Sequence, residues 1–398
     1  MKLARDHASL KAITGLIEYA FRKQQPIIDD PLFLSRYEHA DSYGMYHDDE
    51  LTSLVMANHF EIQLFNERVK MAGVGYVSSY PEYRGQGSVS NIMPELLTDL
   101  YEQGVAVSQL APFSESFYRQ FGYEPTSRRK IYRIPALAFN YLPSERRGNV
   151  KRGTWQQMKL VIQSIYQRLL KQQQNGTVIR EDWWWERLDH YYSHRFYAVA
   201  YDDAGEAKGY IIYRMQGSTL IVDELAYENE LALRKLLTYL KSHVSSFEEF
   251  LYYAPVHELI EKCFREQEQL KITLEPYMMS RIIDIKQLLP KLPINQKEII
   301  LEVTEDKECP WNVGCWLVSQ GTCQKVHEAG DIKASIHGWS ELLLGELTLA
   351  EGVFLGKVTA AKGFMRVDAF HLDGAHIAAA LHQAGEVNIG RCRDNPLH

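Results

Sequence analysis

The run Val69 to Ser79, VKMAGVGYVSS, reads as a β-strand, breaks at Pro81, and gives way to Arg84-Gly85-Gln86-Gly87. Apolar residues then follow at Val89, Ile92, Met93, Leu96, Leu97 and Leu100, which is one face of a helix. Strand, glycine-containing loop and helix start therefore succeed one another directly. A helix start leaves backbone N–H groups unpaired and carries the positive end of the helix dipole, so it attracts an anion such as a pyrophosphate. The two glycines let the backbone come close to such a group, and Arg84 adds charge. Loops of this kind are common between strand and helix, so the loop alone does not fix its ligand. Pro94 removes one hydrogen bond inside the helix and predicts a kink near Ser90.

A second strand is expected over Val105 to Ala111, after which Ser114 can cap a short helix through Tyr118 that Gly122 ends in a left-handed conformation. Upstream, Leu10 to Lys23 reads as a helix, and Pro26 to Pro31 as a loop entering a second helical stretch. Strands are expected at Leu51 to Asn58 and Glu61 to Phe65, with a turn at Asn66-Glu67. Asp29, Asp30, Glu38, Asp41, Asp48, Asp49 and Glu50 make this region acidic, either as a solvated face or as a place to receive a cation.

Leu142 to Gly148 looks like a linker, and beyond it the same plan runs a second time. Helices are expected over Thr154 to Lys171 and Glu181 to Tyr191, then strands at Phe196 to Tyr201, Ala207 to Met215 and Ser218 to Leu225. A helix from Asn229 to His243, a strand at Phe250 to Tyr253, a helix from His257 to Phe264 and a strand at Lys271 to Tyr277 complete the copy. Where it should carry the anion loop it has Ala226-Tyr227-Glu228-Asn229-Glu230, with no glycine and two carboxylates that repel a pyrophosphate. Trp183-Trp184-Trp185 reads as core or inter-domain packing rather than an aromatic cage. From Ile282 the character changes, with strands at Ile299 to Thr304, Gly314 to Ser319 and Asp331 to Ile336 and helices from Trp339 onward.

A length of 398 residues suits two to three domains, and the boundaries read as 1–148, 149–281 and 282–398. Apolar content of 45% and charged content of 24% are those of a soluble globular protein. The N-terminal stretch has no apolar signal core, and no run reaches the ~20 apolar residues of a membrane span, so a cytoplasmic protein with no membrane partner is expected. The five cysteines read as free thiols. Cys309, Cys315, Cys323 and His327 are spaced too widely for a zinc pattern, so no metal is expected. A net charge of −7 disfavours nucleic acid and mildly favours a cationic small-molecule substrate.

The order in the first copy resembles the core of the GNAT superfamily of N-acetyltransferases. Its phosphate loop, Arg/Gln-x-x-Gly-x-Gly/Ala, is matched by Arg84-Gly85-Gln86-Gly87-Ser88-Val89, with Val89 departing at the last position, and Phe117 to Tyr123 lies where the superfamily places its cofactor-side tyrosine. The last segment is similar to a sterol-carrier-protein domain. The fold class is thus α/β (α+β): two tandem GNAT folds, the second without its cofactor loop, followed by a sterol-carrier-protein-like α+β domain. This plan resembles the enhanced-intracellular-survival (Eis) family of aminoglycoside N-acetyltransferases.

The resemblance implies acetyl-CoA as co-substrate, an aminoglycoside- or polyamine-like polycationic amine as acceptor, and a homo-oligomer, often a hexamer. It implies cofactor contacts from Val77, Ser78, Ser79, Arg84, Gly85, Gln86, Gly87, Ser88, Val89 and Ser114. The Val77 N–H would bind the thioester oxygen. Tyr118 would be the general acid for the leaving thiolate, and the C-terminal carboxylate of His398 the base. Two other classes stay open: a lipid- or ligand-binding protein acting through the last domain, and a catalytically silent acetyl-CoA-binding scaffold.

Overall fold

The computed structural model describes residues 1–172, 175–192, 194–292, 298–319 and 321–361. The first repeat begins with α1 (His7–Ala20), whose N-terminus the Asp6 carboxylate caps by accepting from the Ser9 N–H at 2.8 Å, and α2 (Pro31–Tyr37), capped by Asp30. Three antiparallel strands follow, β1 (Ala40–His47), β2 (Glu50–Leu64) and β3 (Glu67–Ser79). Then come α3 (Ser88–Glu102), β4 (Val107–Leu110), α4 (Glu115–Arg119) and β5 (Glu124–Pro135). The two short strands expected between Leu51 and Phe65 are one strand, and the first strand lies earlier, in the acidic stretch. Period-two alternation is absent from β1 because its first five residues are all buried, Asp41 among them in ion pairs to Lys2 (2.9 Å) and His59 (3.1 Å). Helix α3 runs unbroken through Pro94.

The second repeat comprises β6 (Asn149–Gly153), α5 (Trp155–Gln172), β7 (Asn175–Val178), α6 (Asp182–Tyr191), β8 (Phe196–Tyr201), β9 (Ala207–Gln216), β10 (Thr219–Tyr227), α7 (Glu230–Lys241), β11 (Glu249–Pro255) and β12 (Lys271–Ile282). The helix expected over His257 to Phe264 is only a single 3-10 turn, Ile260–Cys263. A helix packed on its apolar side would bury Leu259 and expose Glu258; here Glu258 is buried and Leu259 is half exposed.

Among the described residues, twelve strands form one sheet in the order β1-β2-β3-β4-β12-β5-β11-β10-β9-β8-β6, with β7 added against β2. The two repeats exchange their last strands. Strand β5 carries Arg129–Pro135 across to pair with β11, and β12 returns Met279–Ile282 to pair with β4 of the first repeat. Between them β5 and β12 pair with each other. Each repeat therefore completes the other, and neither has a closed sheet by itself. The tryptophan run packs as expected between the repeats: Trp183 stacks on His39 at 4.0 Å, Trp184 meets Phe60 edge-on at 5.0 Å, and Trp185 joins the core of the second repeat.

The C-terminal unit is a five-stranded sheet ordered Thr322–Val326, Gly314–Ser319, Glu298–Val303, Ile332–Ala334 and Val358–Ala360, covered by the helix Ile336–Leu344. The expected strands are present, two more are added, and the helix starts three residues before Trp339. Its apolar residues Leu301, Trp316, Trp339 and Leu343 share one core with Phe60, Ile62 and Val107 of the first repeat. Arg281 of β12 ties all three units together. It is fully buried, donates to the Phe121 carbonyl of the first repeat, and pairs with Asp306 of the C-terminal unit at 3.0 Å. Asp306 also accepts from the Cys309 N–H and the Asn312 amide.

Removing one partner of such a pair leaves a buried charge uncompensated. Asp306→Ala is expected to destabilise the protein by about 3–5 kcal/mol. Because the two repeats share a sheet and the C-terminal unit shares a core with the first repeat, calorimetry should show one transition moving to lower temperature; a C-terminal transition moving alone would refute the shared core.

Candidate active site

Strands β3 and β4 run parallel but pair only over Met71–Gly73 with Val107–Gln109. Beyond Gly73, β3 continues to Ser79 while β4 ends at Leu110, so the two part and leave a wedge. On its other edge β3 carries a bulge. Leu54 faces Ser78 and Met56 faces Gly75, so Tyr76 and Val77 together oppose the single residue Val55. Tyr76 has φ +50°, a left-handed conformation that costs a non-glycine residue roughly 1–2 kcal/mol. A bulge re-aims the backbone, and here it does so where the strands diverge.

The wedge opens into a cleft of about 670 Å³. One wall is the strand end from Val74 to Ser79, the floor is the loop and first turn of α3 from Arg84 to Ser90, and the other wall is Ala111 to Phe113 with Phe117 and Tyr118. The end of α1, Ala20 and Phe21, borders it. Gly85 and Gly87 have φ +73° and +79°, and an added Cβ at either would meet nothing within 4 Å. The loop thus needs glycine for its backbone turn, and the space beside it stays open. Gly87 is the N-cap of α3 and contributes no side chain to the cap, so the first-turn N–H groups of Ser88, Val89 and Ser90 sit uncapped at the positive end of a fifteen-residue helix. Arg84 is exposed beside them, its Nε donating to the Ser79 carbonyl at 3.2 Å.

Of the residues expected from sequence to touch a cofactor, Val77, Ser78, Ser79, Arg84, Gly85, Gly87, Ser88 and Val89 line this cleft together with Tyr118. Gln86 and Ser114 do not. The Gln86 amide donates to the Glu82 carbonyl at 2.7 Å, and the Ser114 hydroxyl caps α4 by accepting from the Phe117 N–H at 3.3 Å. His398 lies outside the described residues. Tyr118 is buried among Phe113, Phe117 and Tyr123, with ring centroids 5.2 to 6.0 Å away. Burial first, and Tyr123 second, push its hydroxyl far above the ordinary tyrosine range, so it holds its proton at any physiological pH. Sequence reading missed Phe21, Tyr76, Tyr83 and Phe113 as lining residues. The signal for the bulge was there in Gly73-Val74-Gly75, since glycine inside a strand often marks one.

The second repeat keeps the wiring and closes the wedge. Strands β10 and β11 pair in parallel over Thr219–Val222 with Glu249–Tyr252, and β10 bulges at Asp223. Where they diverge, the Glu258 carboxylate bridges them, accepting from Tyr227 at 3.0 Å and Tyr252 at 3.2 Å. Burial outweighs these donors and the Leu259 N–H, raising the Glu258 carboxyl above its usual range. Glu228, at the expected repulsive position, is paired with Arg168 at 2.5 Å.

Residues 5–126 match the family model of an acetyltransferase (GNAT) domain, residues 176–282 match a second GNAT acetyltransferase model, and residues 285–375 match a sterol carrier protein domain. No curated protein matches the chain. Among solved structures it is similar to a conserved protein of unknown function from Enterococcus faecalis V583, described as a probable N-acyltransferase. The two share 33% identity over 96% of this chain and 95% of that one, with a TM-score of 0.83. A GCN5-related N-acetyltransferase from Anabaena variabilis ATCC 29413 shares the fold at 19% identity, covering 95% and 97% of the two chains with a TM-score of 0.81. Eis1 from Mycobacterium abscessus does so at 19% identity, 95% and 96% coverage and a TM-score of 0.75. With two GNAT domains, an open cleft at the loop of the first and a near-full-length relative at this identity, the chain belongs to the GNAT acetyltransferases, as an enzyme with tandem GNAT domains and a C-terminal sterol carrier protein domain.

Proposed function

We propose that the protein is an acetyl-CoA-dependent N-acetyltransferase acting on amines of a polycationic acceptor, aminoglycoside- or polyamine-like, in the first repeat. The observation that carries this reading is the coincidence in one cleft of an uncapped helix start behind two left-handed glycines, a parted strand pair and a buried, protonated tyrosine. The helix start with Arg84 takes the pyrophosphate, and the wedge takes the acyl-bearing arm of the cofactor.

The neutral amine attacks the thioester carbonyl, forming the C–N bond and a tetrahedral oxyanion that accepts a hydrogen bond from the Val77 N–H. Collapse breaks the C–S bond, Tyr118 supplies the proton to the leaving sulfur, and the surplus proton on the newly bonded nitrogen passes to solvent, from which Tyr118 is reprotonated. The amine must first lose its proton, to the carboxylate of His398 or to solvent. A homo-oligomeric assembly and a cytoplasmic location belong to the same proposal. The reading in which the last domain acts as a lipid carrier is less favoured, because its apolar side chains are used in the core shared with the first repeat.

The direct test is acetyl-CoA-dependent thiol release by the full-length chain with aminoglycosides, polyamines and lysine peptides; no release with any of them would sink the proposal. Tyr118→Phe should lower kcat by about a hundredfold and leave acetyl-CoA affinity nearly unchanged. With Tyr118 held protonated, kcat/KM should rise with pH as the acceptor amine deprotonates and show no descending limb below about pH 10, where an ordinary tyrosine would ionise. Gly87→Val forces a β-branched residue into the left-handed region, and about tenfold weaker acetyl-CoA binding is expected by calorimetry. Gly87→Asn should be milder, since asparagine tolerates that conformation.

A further inference from the structure

Arg36, on α2, is fully buried, yet no carboxylate pairs with it among the described residues. Its Nε and Nη2 both donate to the Asn58 side-chain oxygen, the first at 2.9 Å, and the Asn58 amide donates back to the Arg36 carbonyl at 2.8 Å. Among the described residues, Nη1 is buried without a partner. The charge beside it is another arginine, Arg187 of the second repeat, which donates to the Leu32 carbonyl on the same helix. Burial first, then Arg187, push the Arg36 guanidinium down to about 10, which still leaves it cationic at neutral pH. Burying a charge without a counter-charge is unfavourable, so its position asks for a reason.

The guanidinium lies 4.9 Å from the ring centroid of Tyr76. Tyr76 is the left-handed residue of the β3 bulge, its ring is also held edge-on by Phe21 at 5.6 Å and Phe33 at 5.7 Å, and it lines the cleft immediately before Val77. A conformation this rare persists only when its surroundings over-determine it. We infer that Arg36 is a positioning residue for acetyl transfer: its cation locks Tyr76 in the bulge so that the Val77 N–H faces the thioester oxygen, and its uncompensated positive charge favours the negative charge that develops there. Asn58 accepts from Nε and Nη2 without neutralising the guanidinium, which a carboxylate would do. Through Arg187 and α6, the second repeat holds α2 against this site. The inference rests on the reading of the cleft as an acetyl-CoA site.

The test compares full-length wild type, Arg36→Met and Arg36→Lys by acetyl-CoA binding, by the infrared carbonyl band of bound acetyl-CoA labelled with carbon-13 at the carbonyl, and by turnover with the best amine. Arg36→Met should keep acetyl-CoA affinity within about threefold, return the carbonyl band toward its free position and lower kcat by about tenfold or more. Arg36→Lys should restore most of the band shift and part of kcat, which a purely structural role for the arginine would not produce. A folded Arg36→Met with wild-type band and turnover overturns the inference, as does a lysine variant no better than methionine. Should Arg36→Met fail to fold, Tyr76→Asn removes the ring while tolerating the backbone, and the same return of the band toward its free position is expected, with a band still at the wild-type position overturning the inference. Wild type that fails to bind acetyl-CoA refutes the cleft reading and the inference with it; wild type that binds with a polarised carbonyl insensitive to Arg36 refutes the inference alone.

Discussion

The exchange of β5 and β12 between the repeats is the constraint on which the rest of the structure depends. A parallel strand pair that diverges at one end must be held together elsewhere, and β4 has only the three residues Val107–Gln109 paired with β3. On its far edge it is braced by Met279–Ile282 of β12, a strand supplied from more than 160 residues later in the chain. The same β12 delivers Arg281 to Phe121 and Asp306, so the brace for the cleft wall is also the joint to the C-terminal unit. The sheet of the first repeat is thus incomplete by itself, and the repeat without the glycine loop supplies the strand that borders β4 in the repeat that has it.

Within that frame, the site arises from pairing withheld. Where β3 and β4 separate, and where β3 bulges against β2, backbone that would otherwise serve the ladder becomes available for a ligand. The second repeat shows the alternative outcome from the same wiring. There the gap is bridged by Glu258, which accepts from the hydroxyls of Tyr227 and Tyr252. One fold plan therefore yields an open cleft or a closed core, depending on whether a loop with glycines or a buried carboxylate follows.

The burial of charge differs between the repeats in the same sense. In the second repeat each deeply buried cation near the bulge has a carboxylate: Arg180 with Glu224 at 3.0 Å, Arg195 with Asp223 at 3.0 Å. In the first repeat Arg36 has an amide instead. A paired charge stabilises a closed core, whereas an unpaired one leaves a field that a transition state can use.

The sequence by itself determined the local elements and the chemistry of the loop. Apolar period along α3 and turn residues at Gly85, Gly87 and Gly122 are read within a few positions of one another, because helix faces, caps and left-handed turns depend on near neighbours. The duplication, the loss of the loop in the second copy and the change of character near Ile282 were legible for the same reason. Strand β1 was not, since burial on both faces erased the alternation that marks a strand. Nor was the fate of individual carboxylates, as Asp41 in its ion pairs and Glu258 in its bridge show. Only the tertiary structure decided which strands exchange, that Gln86 and Ser114 turn to local hydrogen bonds, and that Arg36 lies behind Tyr76. Each of these depends on contacts between residues far apart in sequence, and no local pattern encodes which distant partner will arrive.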